Sequence, residues 1–233
     1  MRRLWRVNDT DRRMVAGAHE AERINMKIKR MAELEITGWT EIKQYAEAGK
    51  LNEILNSGDR IPITLKDGQE IELDVGRDKT GKTYFIFHDC LKDEHIMNEE
   101  WTNAGGWAAT EMRRYANEDV FHLFPEELQA VIEPTKIVQI VNGERVETQD
   151  KLFCLSYTQV FGGDYCREQE PEDTKIDIFE TEKDRVKMVD GETWWWWLRS
   201  AYGSYAFSTV SYDGSHASTY AHNTRGVVLG FCL

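Results

Sequence analysis

The 233-residue chain has no apolar run long enough to span a bilayer, and residues 1–17 are basic without the hydrophobic core of a secretion signal. No membrane insertion and no signal peptide are therefore expected, and the chain is expected to start its life in a cytoplasm. Positive charge is also short, with 29 Lys and Arg against 41 Asp and Glu and a formal net charge of −12. Proteins that hold nucleic acid or anionic membranes gain affinity by releasing counterions from a basic surface, so neither is an expected partner. Cysteine is scarce: Cys90, Cys154, Cys166 and Cys232 show no C-x-x-C spacing. That argues against a secreted disulfide framework and a paired-cysteine zinc site, and leaves reduced, buried thiols. The six His residues form no H-E-x-x-H, and the acids Glu168, Glu170, Glu172 and Asp173 do not follow EF-hand order. On these grounds no metal, no cofactor and no catalytic residues are assigned, and the chain is not expected to be an enzyme.

A further absence is local. Residues 201–224 contain no Lys, Glu, Gln, Met or Trp, although the whole chain is rich in Glu and Lys. Those five are the amino acids whose codons must end in a purine, so every residue of the window is encodable with a final pyrimidine. Ser, Tyr, Ala and Thr dominate instead, with Gly, His and Asn among the rest. Tyr offers a large, stiff, amphipathic contact area, while Ser, Gly and Asn adapt their hydrogen bonds, as in antibody loops. The residues expected to face a ligand are Tyr202, Ser204, Tyr205, Ser208, Thr209, Ser211, Tyr212, Asp213, Ser215, His216, Ser218, Thr219, Tyr220, His222, Asn223 and Thr224. The four tyrosines are the anchors, and Ala206, Phe207, Val210 and Gly214 read as framework.

Sharp apolar motifs bound this window. Trp194-Trp195-Trp196-Trp197-Leu198-Arg199-Ser200 precedes it, and Gly226-Val227-Val228-Leu229-Gly230-Phe231-Cys232-Leu233 follows. Together with Ala206-Phe207, Val210 and Asp213-Gly214, the W-W-L-R-S pattern resembles the C-terminal half of a bacterial and phage domain family of unknown function that usually closes with G-V-R-P-A-F. Gly105-Gly106-Trp107, Met112-Arg113 and the 150–156 strand extend the resemblance across roughly residues 38–233. It implies a C-type lectin-like fold; with the elements read along the chain, the expected class is α+β, with short β-strands, flanking helices and an N-terminal helical arm. The Tyr/Ser-rich interior is similar to the variable region of proteins diversified by retroelements, such as the phage major tropism determinant. There, adenine-directed mutagenesis randomises surface residues on a fixed scaffold. Val228-Leu229-Gly230 departs from the family's R-P-A, so the terminal strand can pair differently.

Two parts are expected along the chain: an arm at 1–36 and a ligand-binding domain at 37–233 with its variable region at about 201–224. In the arm, Gly17, Ala21, Ile24, Ile28 and Met31 alternate at spacings of four and three, an a/d seam suited to a homo-oligomer or attachment to a virion. Thr40 reads as the N-cap of a helix stopped by Gly49, and Asp67-Gly68 as a hairpin turn between 60–65 and 69–75. Strands are expected at 83–87 and 135–141, a Pro-initiated helix at 125–132, and a capping box from Ser156 to Gln159. Trp107 reads as core, Arg113 as structural, and the acidic stretch 162–191 as a solvated loop. Residues 194–200 and 226–231 are expected to be buried strands, with Arg199 satisfied by a carboxylate or by carbonyls.

The expected function is binding of a protein or glycan ligand on a cell surface, from a phage virion (tail-associated) or from a bacterial cytoplasm or surface. The alternative is a structural virion or cell-surface component with a fixed partner. A formylglycine-generating-enzyme-like oxidase, which would use a C-terminal cysteine pair with copper, fits less well, since Cys232 has no second cysteine near it in sequence. His88 and Cys90 share only a strand face and read as core neighbours rather than a dyad. The triplets of calcium-dependent sugar binding are missing.

Overall fold

Asp67-Gly68 reverses the chain between alternating apolar residues, and β1 (Arg60–Thr64) pairs antiparallel with β2 (Glu70–Arg77), Ile61 facing Leu73 and Ile63 facing Ile71. β3 (Thr83–Phe87) is buried along its whole length, as a strand covered on both faces must be. The structure, a computed structural model, describes residues 38–166 and 168–233; the arm expected at 1–36, with its seam, lies outside them. Beside β3 runs β12 (Leu229–Cys232), which also pairs with β6 (Phe153–Cys154), giving the order β1-β2-β3-β12-β6. Phe231 lies at the middle of this sheet, stacked on Phe85 with ring centroids 5.1 Å apart. Trp39 meets both rings edge-on at 5.6 and 6.1 Å. Each ring so buried stabilises the fold by about 2–3 kcal/mol.

Trp39 belongs to the helix Trp39–Glu47, which buries Trp39 and Ile42. Gly38 rather than Thr40 occupies its N-cap position, and a second short helix, Leu51–Ile54, follows. The Pro-initiated helix forms at Glu126–Val131. Strand β4 (Thr135–Val141) turns through Asn142 and Gly143, both at positive φ (52° and 82°), into β5 (Glu144–Asp150). β5 was not expected, because its polar residues carry little strand signal. It ends in buried Asp150, which accepts bonds from Trp107 Nε1 at 2.9 Å and Arg113 Nε at 2.7 Å. Trp107 is therefore core and Arg113 structural, as their sequence context suggested. The Ser156–Gln159 capping box opens the helix Tyr157–Phe161.

The acidic stretch departs from expectation. Glu168 and Glu172 are exposed, but Glu170 is fully buried and Asp173 pairs with Arg199. The segment folds inward because the buried guanidinium needs a counter-charge. Past it, the hairpin of β7 (Lys187–Val189) and β8 (Glu192–Trp194) leads into β9 (Trp196–Tyr202), β10 (Ala206–Val210) and β11 (His216–Tyr220), a sheet of order β11-β10-β9. Arg199 N donates to Leu155 O at 2.9 Å, joining this sheet to the strand region of β6. Residues 226–231 are buried as expected, but 194–200 only from Trp196 onward: Trp194 is exposed and Trp195 half-buried. The protein is thus mixed α and β, built on several small sheets. Among the described residues no helix is long and apolar enough to cross a membrane.

Candidate ligand-binding surface

The base of the surface is β9. Trp196, Trp197, Leu198, Arg199 and Ser200 are all buried there, and each indole N–H finds an acceptor, Arg185 O at 2.9 Å for Trp196 and His95 O at 2.7 Å for Trp197. Arg199 donates to Cys154 O at 2.7 Å, to Gln159 Oε1 at 2.8 Å and to the Asp173 carboxylate, so carbonyls and a carboxylate take up its terminal nitrogens, while its buried Nε has no hydrogen-bond partner. Glu170 accepts from Ser200 Oγ at 2.6 Å. Burial pushes the Glu170 carboxyl up to about 7, against the pull of Arg199 and helped by the charge of Asp173.

Two turns carry the exposed residues. The first, 203–205, is clasped by Asn103, whose Nδ2 donates to the carbonyls of Ala206 (2.8 Å), Gly203 (3.0 Å) and Tyr202 (3.4 Å). In the second, Asp213 accepts from Ser211 Oγ and from Ser215 N at 3.0 Å. Hydrogen bonds from Ser211 and Ser215 hold its carboxyl down at about 2. Gly214 is required at its position: φ is 85°, and a Cβ there would come within 1.9 Å of Glu182 O.

Strand pairing sorts the side chains into faces. Tyr202, Ala206 and Tyr220 lie across from one another, with Ser208 and Ser218 opposite and His216 at the far end of the same face. Along it runs a belt of aromatic rings. Trp101 stacks on Tyr220 at 5.2 Å and on His222 at 4.7 Å. Further along, Tyr202 stands 6.5 Å from Tyr165 and 6.1 Å from His216. The His216 ring is walled by Tyr157 at 4.8 Å and by Phe161 and Tyr165 at 5.6 Å, and burial lowers its pKa, favouring neutral imidazole. Trp101, Tyr165, Tyr202, Tyr205 and Tyr220 stay 60, 59, 40, 57 and 49% exposed.

The structure places the expected contact residues in several ways. Tyr202, Ser204, Tyr205 and Tyr220 are exposed, and His216, Ser218 and His222 half-buried along or beside the belt. Ser208, Thr209 and Ser211 are buried, correcting the expectation that they face a ligand: hydroxyls this small fit beneath neighbouring rings, and Ser208 and Ser211 find internal partners in His216 and Ser215. Asp213 and Ser215 spend their polar atoms on the turn. Thr219 points to the opposite face, where Asn223 Nδ2 donates to it at 2.6 Å, and Thr224 is exposed beside it. Tyr212 is exposed but sits apart from the belt, 6.4 Å from Trp195. The framework residues Ala206, Phe207, Val210 and Gly214 are all buried. Sequence reasoning missed Trp101 and Tyr165. Their signal was present: each is a lone large aromatic in a polar setting, Glu99-Glu100-Trp101-Thr102 and Gly163-Asp164-Tyr165.

The nucleophile chemistry is of another kind. All four cysteines are free and buried, and burial pushes Cys90, Cys154 and Cys166 up to about 12 and Cys232 to about 11. His88 directs Nδ1 to the Asp74 carboxylate at 2.9 Å rather than serving Cys90. Burial works to raise Asp74, but the His88 bond and the charges of Lys187 and Arg60 outweigh it and hold the group at about 2. Among the described residues no three or more His, Cys, Asp or Glu group as metal ligands.

The model of one family, described as a domain of unknown function (DUF6273), matches residues 81–233. The chain belongs to that family. The DUF6273 match takes in β3, the clasp at Asn103, the acidic segment and the whole surface, while β1, β2 and the helix Trp39–Glu47 precede it. No curated protein and no solved structure matches the chain.

Proposed function

We propose that this protein is a ligand-binding, receptor-binding protein that displays a Tyr/Ser-rich face on a C-type lectin-like scaffold, diversified by a retroelement in a phage or bacterium. The observation that carries the reading is the aromatic belt. Tyr202 and Tyr220 project from the 201–224 window over a base of buried framework, with Tyr205 exposed in the adjoining turn, and Trp101 and Tyr165 extend the belt at either end. Large exposed rings are rare on a surface that meets only water, and a few such anchors amid near-neutral polar contacts supply most of the energy of a protein interface. The pyrimidine-compatible composition of the window supports the diversification half of the reading. The ligand is a protein or glycan on a cell surface, and presentation in several copies would raise avidity.

The test has two arms. Deep sequencing of codons 201–224 in the source population should find substitutions confined to adenine positions, with a near-repeat and a reverse-transcriptase gene nearby; codons no more variable than those for β3 would remove the diversification claim. Alanine at Tyr202, Tyr205 and Tyr220 should abolish cell or ligand binding with unchanged melting and oligomer size. Loss of assembly instead would favour the structural-component reading.

A further inference from the structure

On the side of the sheet away from the belt, Glu94, Thr193, Trp194, Trp195, Tyr212 and Arg225 enclose an open cleft of about 420 Å³. Its chemistry differs from that of the belt. The Arg225 guanidinium lies 5.5 Å above the Trp195 ring and is held by bonds to Thr224 O at 2.6 Å and Thr219 Oγ1 at 3.4 Å. Its Nε is shut away from solvent without a partner. None of these contacts is a carboxylate. A guanidinium has five N–H donors in a planar fork suited to carboxylate, so this one is positioned, charged and only partly used. Across the cleft the Trp194 indole N–H donates to Glu94, which fixes the ring while leaving the carboxylate lone pairs to accept further donors. Trp194 and Tyr212 remain 39 and 57% exposed, offering flat apolar faces.

A ligand that completes this cleft brings three things: an anion for Arg225, hydroxyl donors for Glu94, and a ring with an apolar C–H face to lie on the indoles. A simple carboxylate has neither hydroxyl donors for Glu94 nor a ring for the indoles; a neutral sugar leaves Arg225 unanswered; the side chains of an acidic peptide bring carboxylates but no ring bearing several hydroxyls. We infer that the cleft is a binding site for a carboxylate-bearing sugar of the uronic-acid type. This site goes beyond the belt reading and does not rest on it, since only Tyr212 comes from the 201–224 window.

The probe is D-glucuronate, titrated into the full chain while tryptophan fluorescence is followed. Saturable, millimolar-range binding is expected, with D-glucose, acetate and the neutral methyl ester of glucuronate each weaker by about tenfold or more. Arg225→Gln should weaken glucuronate by a similar factor with unchanged melting, whereas Tyr202→Ala and Tyr220→Ala should leave it untouched, which separates this site from the belt. Absence of saturation, equal binding of the methyl ester, or full affinity in Arg225→Gln would overturn the assignment. The ester comparison needs no variant and stands even where the substitution unfolds the chain.

Discussion

Arg199 and Arg225 flank the same 24-residue window, and each lies over an aromatic ring, Phe153 at 5.7 Å for the first and Trp195 at 5.5 Å for the second. Their surroundings are opposite. Arg199 is fully buried, with two acceptors and a carboxylate around it, while Arg225 is half-buried and meets only a carbonyl and a hydroxyl. A charge removed from water is tolerated only when its partners are built in, so Arg199 belongs to the fold. Arg225 has its Nε buried but its guanidinium only half-covered and facing no carboxylate, so its charge keeps contact with water and remains available to something outside the chain.

The contrast is most exposed to failure in the largest effect. Arg199→Ala strips Asp173 of its partner and is expected to cost about 3–5 kcal/mol in urea unfolding, against less than about 1 kcal/mol for Arg225→Ala. Similar losses at both positions would end the distinction. Gly214→Ala comes next: the new Cβ meets Glu182 O on the helix Glu182–Arg185, whose Arg185 Nε donates to Gly214 O at 2.9 Å. A loss of about 2 kcal/mol is expected from the strained φ and the displaced backbone; a neutral result would mean that the β10–β11 turn is not seated on that helix.

The Arg199 network also gives a pH signature. Glu170 is raised to about 7 from an ordinary 4.5, so between those values the folded state keeps a proton that the unfolded chain has released. Its contribution to stability is full below about pH 4.5 and is lost as pH rises through 7. Unfolding free energy should therefore fall from pH 5 to pH 8 in the native chain and fall less in Glu170→Gln; parallel curves would place the proton elsewhere. Asp74, held at about 2, runs the other way, stabilising above its ordinary range and losing that contribution as pH drops towards 2. The smallest change is expected at Tyr205→Ala, within about 0.5 kcal/mol of native stability, because its ring is mostly in solvent.

Local signals in the sequence were legible. β3 and β4 fall where β-branched and aromatic runs put them, and the Ser156 capping box and the Asn142-Gly143 turn form as their residue types dictate. Partners far apart in sequence were not. Nothing near Glu170 or Asp173 in the chain says that an arginine some 30 residues on will draw them inward, and an acidic run looks the same whether solvated or folded under. Burial of Ser208 and Thr209 was hidden for a related reason: they point to opposite faces of β10, which is buried along its whole length, and alternation does not say that both faces are covered; on the Ser208 side, rings at Tyr157 and Tyr165 close over His216 from elsewhere in the chain. The same distance concealed Trp101, which reaches Tyr220 from more than 100 residues away.

Asn103 holds the turn at 203–205 by donating to three main-chain oxygens. A clasp of this kind is blind to sequence. Every amino acid presents the same carbonyl, so residues 202, 204 and 205 can be exchanged without loosening the grip. Substitution at these positions is therefore expected to leave the turn in place, a tolerance that comes from one amide.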